Sequence, residues 1–300
     1  MEFKNKRAEG IYKTLETQLK AIRKHNRQGS NKTKERYYEA NQRFCKYLAE
    51  EYGTQKFANI QGKHLDGYAK HMQEKGLGAS TIKTDLAGIR FYHDKCSNTR
   101  HHLPQNKDLT TGLEKRVTRG VDRAISNADY KAFQDICDSK GTYSYERTKN
   151  CAVIAREMGL RVHETTKLGT YHVEQAKKTG EITIKGKNGK ERTVPVTPAA
   201  MQVLNKCSSN VSRGDKLFVG AGEKTHLVVK QIQNNINRSR SSWQTTGGAN
   251  RTYHGFRHAY AREKYDQFTS RGMSDYEAKK CVSELLGHER DEVTNIYLCK

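Results

Sequence analysis

The sequence predicts a mainly α-helical protein with a small antiparallel β-sheet, arranged as an N-terminal helical bundle followed by a C-terminal α+β domain. Three observations carry that prediction. Apolar residues recur with a 3.6-residue period through the first hundred positions. Alternating β-branched residues occur clearly in one place, on both sides of an Asn-Gly turn. The 300 residues allow about two domains at roughly 100–200 residues each, and each is large enough to bury a real core.

The elements follow in order. Ile11, Leu15, Leu19 and Ile22 form the stripe of a first helix, with Lys13, Lys20, Arg23 and Lys24 off it. Together with Lys4, Lys6 and Arg7 it makes a short basic N-terminal element over residues 1–29. Gly29-Ser30-Asn31 interrupts the pattern, and Thr33 is expected to cap a second helix carrying Tyr37, Phe44, Tyr47 and Leu48, ended by Gly53. A third helix is expected over 62–75, with Leu65, Tyr68, Ala69 and Met72 inward and Gly76 and Gly78 as terminators. Ser80 is the expected N-cap of a fourth, whose stripe is Ile82, Leu86, Ile89 and Tyr92. The polar stretch from Ser97 to Gly120, with Pro104, Gly112, Lys115, Arg116 and Arg119, reads as connecting chain. The expected organisation is a helical domain at 1–110, a linker at 111–122 and a second domain at 123–300.

The second domain opens with the cap signature Ser126-Asn127-Ala128-Asp129 before Tyr130, Phe133 and Ile136. A helix from about Tyr145 to Met158 stops at Gly159. Glu181-Ile182-Thr183-Ile184-Lys185 and Arg192-Thr193-Val194-Pro195-Val196 alternate on either side of Gly186-Lys187-Asn188-Gly189 as a hairpin. Further helices are expected at Pro198–Cys207, Val228–Arg238, His254–Thr269, Ser274–Leu286 and Val293–Leu298.

Composition narrows the function. Lys and Arg number 55 against 33 Asp and Glu, a net charge of +22. Residues 1–120 hold 25 basic and 13 acidic side chains, and residues 121–300 hold 30 and 20, so both halves are basic. A polyanion is the expected partner, because each cation that meets a phosphate releases condensed counterions, and charge on two lobes suits a grip on one duplex. The longest apolar runs are a handful of residues, as at Leu227–Val229, far from the ~20 a membrane span needs. No apolar segment follows the charged N-terminus, so no secretory signal is expected. The seven cysteines are scattered and form no C-x-x-C pair, which favours a reducing compartment over a disulfide or zinc framework. There is no H-E-x-x-H, no P-loop and no G-x-S-x-G. No metal and no cofactor are expected.

What remains is an ordered set of cationic and protic residues: Gly159-Leu160-Arg161-Val162-His163-Glu164, then Lys187 in the hairpin turn, then His254-Gly255-Phe256-Arg257-His258, then Leu286-Gly287-His288, and Tyr297 nine residues later. A helix start after a glycine stop favours anions near Arg161, and His254 and Arg257 share one helix face. Each piece alone is common; the order is what carries information.

That order closely resembles the tyrosine recombinase, or phage integrase, family, over Met158–Leu168, Ile182–Val196, His254–Ala261 and Leu285–Leu298. The first half is similar to the family's SAM-like core-binding domain in position, size and helix count alone. The resemblance implies a C-terminal catalytic domain with Arg161, Lys187, His254, Arg257, His288 and Tyr297 as catalytic residues and Glu164 as a supporting acid. It implies a site-specific recombinase or integrase of a mobile element, acting on double-stranded DNA, without metal or ATP. Tyr297 would be the nucleophile, Arg161 and Arg257 the phosphate clamp, His288 a further donor to the phosphate, Lys187 the acid for the leaving oxygen and His254 the base. Self-association into a tetramer on paired sites, a possible accessory DNA-bending protein and a cytoplasmic, nucleoid-associated location are expected with it. A topoisomerase-like enzyme or a non-catalytic DNA-binding protein of the same fold is the alternative. Two departures stand out. Phe256 replaces the family's usual Leu, and only Leu298-Cys299-Lys300 follow the tyrosine. That is too short for a docking helix, so protomers are expected to couple through other surfaces or without a tail.

Overall fold

The computed structural model describes residues 2–115, 121–186, 189–245, 247–288 and 291–298. The chain forms two compact units, Met1–Val117 and Thr118–Lys300. It is mainly helical, with one two-stranded antiparallel sheet.

Among the described residues the first unit has four α-helices and two single-turn 3-10 helices. α1 (Lys6–His25) is capped by the Asn5 side chain and buries Ile11, Leu15 and Leu19, with Arg23, Lys24 and His25 closing its negative end. α2 (Asn31–Glu51) starts at Ser30, whose Oγ accepts from the Thr33 amide at 3.2 Å. The cap is therefore Ser30 and not Thr33, which lies in the first turn. α3 (Gly62–Glu74) buries Leu65, Tyr68, Ala69 and Met72. α4 (Ala79–His93) begins at Gly78, two residues before Ser80. Gly76, at φ +71°, turns the chain sharply enough that helical bonding resumes from the Gly78 carbonyl. The start of the polar stretch straps onto this bundle. Leu103 and Leu109 are buried in its core, Arg90 donates to the Pro104 carbonyl and Asn106, and Thr111 is bonded to Asp66.

The second unit comprises α5 (Asn127–Lys140), α6 (Tyr143–Met158), α7 (Val162–Thr165), α8 (Thr170–Thr179), β1 (Glu181–Lys185), β2 (Glu191–Pro195), α9 (Pro198–Ser208), α10 (Thr225–Trp243), α11 (Tyr253–Ser270), α12 (Asp275–Leu286) and α13 (Asp291–Leu298). Ser126, Thr142, Thr197 and Ser274 are side-chain N-caps. The periodicity does not foretell α8, whose buried side is only Val173 and Ala176. In the hairpin Ile182 pairs with Val194 and Ile184 with Arg192.

The core gathers Phe133, Ile154, Met158, Leu160, Ile182, Val194, Leu204, Ile232, Trp243 and Phe256. Phe256, where the family usually has Leu, is fully buried against Phe133, Tyr130 and Tyr253. A smaller cluster of Tyr260, Ala261, Val282, Leu286 and Tyr297 joins α11, α12 and α13. Gly159 lies under Tyr260, where a Cβ would meet the ring at 2.5 Å, so α11 sits directly on the end of α6. Among the described residues no helix is long and apolar enough to cross a membrane.

Candidate active site

The site is built where α6 stops. Gly159, at φ +64°, ends that helix in the left-handed conformation, Leu160 is buried, and Arg161 becomes the N-cap of α7. Glu164, three residues on, accepts from the Arg161 amide at 2.9 Å and from its Nη1 at 2.9 Å. Arg192 grips the same carboxylate with both Nη atoms, at 3.1 and 2.8 Å, and Arg257 Nη1 lies 3.9 Å away. Glu164 is fully buried. Burial alone would raise its pKa, but the hydrogen bonds and charge of Arg192, then those of Arg161, hold it down at about 2. It is an anion surrounded by three guanidiniums.

α11 supplies His254 and Arg257 one turn apart. Arg257 has no exposed side-chain surface. Its Nη1 donates to the Gly159 carbonyl, its Nη2 to the Leu286 carbonyl at 2.6 Å, and its Nε points to Tyr297 Oη at 3.4 Å. Burial lowers its pKa to about 10, so it stays charged at neutral pH. Tyr297, in the last turn of α13, places Oη 2.9 Å from His254 Nε2. Burial first, then His258, Arg257 and Arg161, lower His254 to about 3. Its imidazole is therefore neutral, and Nε2 can accept the phenolic proton.

His288 follows Gly287, the left-handed end of α12. Its Nε2 is 3.2 Å from Arg257 Nη2 and its Nδ1 is 3.4 Å from Thr294 Oγ1. Since guanidinium only donates, Nε2 is the acceptor and the proton sits on Nδ1. Burial, then Arg257 and Arg161, lower His288 to about 3. To donate to a phosphate through Nε2, this ring must first take up or relocate a proton.

The structure thus brings Arg161, Glu164, His254, Arg257, His288 and Tyr297 into one cluster, although His254 and Tyr297 are 43 positions apart. Lys187 lies outside the described residues; β1 and β2 end on either side of it. Two contacts escaped the sequence reading. His258, which the motif assigns no role, stacks on the Tyr297 ring itself, with centroids 4.4 Å apart and planes 23° apart, and hydrogen-bonds its main chain. The alternation marks Arg192 only as a strand residue. The available signal was the alternation: Arg192 falls on the same hairpin face as Ile182, Ile184 and Val194, and a cation on an apolar face needs a buried partner. Among the described residues no three His, Cys, Asp or Glu side chains group as metal ligands.

The phage integrase family model matches residues 123–300, and a phage integrase N-terminal model matches residues 12–100. The chain belongs to the phage integrase family.

As a tyrosine recombinase of this family, it has relatives of similar span. It is 25% identical over 251 residues to tyrosine recombinase XerC of Mesorhizobium japonicum, covering 82% of this chain and 76% of the relative. It is 25% identical over 270 residues to XerC of Escherichia coli O157:H7, covering 83% and 80%. Its fold is similar to a lambda integrase dimer bound to a COC′ core site, with a TM-score of 0.68, 16% identity, and 94% of this chain and 76% of that one covered. It is also similar to the XerH recombinase bound to a palindromic difH substrate in a post-cleavage complex, with a TM-score of 0.61, 19% identity, and 98% and 85% covered. The integrase fold is therefore established over nearly the whole chain.

Proposed function

We propose that this integrase-family enzyme cuts and rejoins duplex DNA at a specific site through a 3′-phosphotyrosyl intermediate on Tyr297. One observation carries the reading: the Tyr297 hydroxyl sits 2.9 Å from a neutral His254 and 3.4 Å from a buried guanidinium of Arg257. A nucleophile, a base and an anion-binding cation meet at one oxygen.

In the proposed reaction a scissile phosphodiester enters beside Arg161 and Arg257. The two guanidiniums bind its non-bridging oxygens, whose charge grows as the tyrosine attacks. His254 takes the phenolic proton, the Tyr297 oxygen bonds to phosphorus, and the bond from phosphorus to the 5′-oxygen breaks. Lys187 protonates that leaving oxygen, a role that rests on the family resemblance. His288 adds a hydrogen bond to the phosphate once its Nε2 carries a proton. The phosphotyrosyl bond is a phosphodiester like the one it replaced, so a 5′-hydroxyl from the partner strand reverses the chemistry without ATP. No step requires a metal.

On this reading residues 1–110 form the core-binding domain and residues 123–300 the catalytic domain, joined through residues 111–122. The partner is double-stranded DNA, bound by copies of the chain that assemble as a tetramer on paired sites. The DNA-bound lambda integrase and XerH structures support DNA and self-association as partners.

The test uses a duplex that the full chain has itself selected from a random-sequence pool, carrying a nick so that the cleaved end diffuses away. Wild type should accumulate a covalent protein–DNA adduct on a denaturing gel. Tyr297→Phe should form none while still shifting the intact duplex. An adduct formed by Tyr297→Phe would assign the nucleophile elsewhere.

A further inference from the structure

We propose that Arg192 is a positioning residue for strand cleavage: it fixes Glu164, and through Glu164 the Arg161 guanidinium, against the end of α12 that leads into His288. The inference rests on the reading that Arg161 and His288 act on the scissile phosphate. It adds a residue outside the Arg–Lys–His–Arg–His–Tyr set.

Each of the three guanidinium nitrogens of Arg192 donates a hydrogen bond. Nη1 and Nη2 hold the two oxygens of Glu164 at 3.1 and 2.8 Å, and Nε holds the Leu285 carbonyl at 3.0 Å. Its side chain is 7% exposed. Leu285 lies in the last turn of α12, three residues before His288. Gly287 sits on the arginine stem, where a Cβ would come within 2.8 Å of Arg192 Cδ, so the turn into His288 is shaped around this side chain.

Glu164 is equally committed. Oε1 accepts from Arg161 Nη1 and Arg192 Nη1, and Oε2 from the Arg161 amide and Arg192 Nη2. The charged and titratable groups facing it are Arg161 from the α7 cap, Arg192 from β2, and Arg257 and Tyr253 from α11. Arg192 hydrogen-bonds at both ends, to this carboxylate and to the Leu285 carbonyl of the α12 terminus, whereas Arg257 bonds the Leu286 carbonyl but comes no nearer than 3.9 Å to Glu164. A lysine keeps the charge but offers no planar fork, so it cannot hold both carboxylate oxygens and the carbonyl.

The experiment measures adduct formation on the nicked, pool-selected duplex for Arg192→Lys, Arg192→Met, Glu164→Gln and the Glu164→Gln/Arg192→Met double variant. Trp243 fluorescence checks folding, and gel shift of the intact duplex checks binding. Misplacement of about 1 Å predicts a loss of about 10- to 100-fold in rate for both Arg192 variants, with duplex binding nearly unchanged. In Arg192→Met, Glu164 loses its strongest counter-charge and protonates more readily, so a new loss of rate should appear as the pH is lowered into the mildly acidic range. Arg192→Lys, which keeps the charge, should lack that acidic loss. In the Glu164→Gln background Arg192→Met should cost much less than in wild type.

Equal costs in both backgrounds, or an unchanged rate and pH profile in Arg192→Met, would overturn the proposal. Should Arg192→Met fail to fold, Arg192→Lys in the two backgrounds decides by the same criterion. Failure of the underlying reading is separate: it shows as an adduct formed by Tyr297→Phe, whatever the Arg192 variants do.

Discussion

Among the described residues, each unit buries a carboxylate among arginines, and the two are used differently. Asp85 on α4 and Glu164 on α7 both have fully buried side chains. Asp85 is held by Arg36 at 2.8 Å, by Arg43 at 3.0 Å and by the Tyr68 hydroxyl at 3.2 Å, so it ties α2 and α3 to α4. Arg36 and Arg43 are 36% and 41% exposed and keep their heads in water. Around Glu164 the exposures of Arg161, Arg192 and Arg257 are 26%, 7% and 0%. Three guanidiniums there share one carboxylate, and His254 and His288 are held neutral. Two positive charges are left uncompensated in a largely dry site. The same ion-pair device braces helices in one unit and in the other holds an excess of positive charge ready for an anion.

The sharpest way to break this contrast is to remove the fork but keep the charge. Arg257→Lys should cut adduct formation by about a thousandfold, the upper range for losing one preorganised donor group. A lysine cannot serve the Gly159 and Leu286 carbonyls and a phosphate together. Single-turnover kinetics on the nicked duplex reads the effect. A rate within tenfold of wild type would mean that net charge, not geometry, is what the site supplies.

Acid should weaken the second unit next. His254, His288 and His258 have folded pKa values of about 3, 3 and 4, against 6.5 in the unfolded chain. Groups depressed in this way contribute stability above pH 6.5 and lose it as the pH falls toward their folded values, because the unfolded state then binds more protons. By pH 5 the loss is about 1–2 kcal/mol per histidine. Glu164, at about 2 when folded, remains ionised through that window and adds to the loss only below about 4.5. The one tryptophan, Trp243, is buried in the second unit and reports on it alone. Its urea midpoint should fall clearly between pH 7 and pH 5. An unchanged midpoint would show that these imidazoles are not held neutral. His64, His71 and His93 in the first unit are lowered too, chiefly by burial, so that unit shifts in the same direction.

Much of this was legible in the sequence because it is local. The 3.6-residue stripes mark α1 to α4, and Asn-Gly between β-branched residues marks the hairpin. The Arg161 and Glu164 spacing already contains their hydrogen bond, since a cap and the third residue of its helix are neighbours in any α-helix. The caps were misjudged by two or three residues because Thr33 and Ser80 compete with Ser30 and Gly78 on nearly equal terms. α8 was missed because two buried residues do not make a stripe. The rest was illegible for a different reason. Alternation states which face Arg192 occupies but not what stands opposite, and its partners are 28 and 93 positions away. His258 likewise shows a helix position but not the ring 39 residues on that it stacks against.

The smallest effect is expected in the first unit, at Asp85→Asn. The amide can still accept one guanidinium hydrogen bond, but it loses the charge that lets one carboxylate serve Arg36, Arg43 and Tyr68 together. The orphaned cations are not trapped: each is more than one-third exposed and can turn to solvent. The loss should therefore be about 1–3 kcal/mol, the range for a charged hydrogen bond, and not the larger penalty of a stranded buried ion. Hydrogen exchange should quicken in peptides from α2 and α4, while the Trp243 transition stays in place. At saturating protein the adduct rate should match wild type, because Arg36, Arg43 and Tyr68, the partners that hold Asp85, all belong to the first unit. If the adduct rate falls with Asp85→Asn as it does with Glu164→Gln, the two carboxylates are not the brace and the cation holder described above, and the first unit reaches the chemistry through more than its grip on DNA.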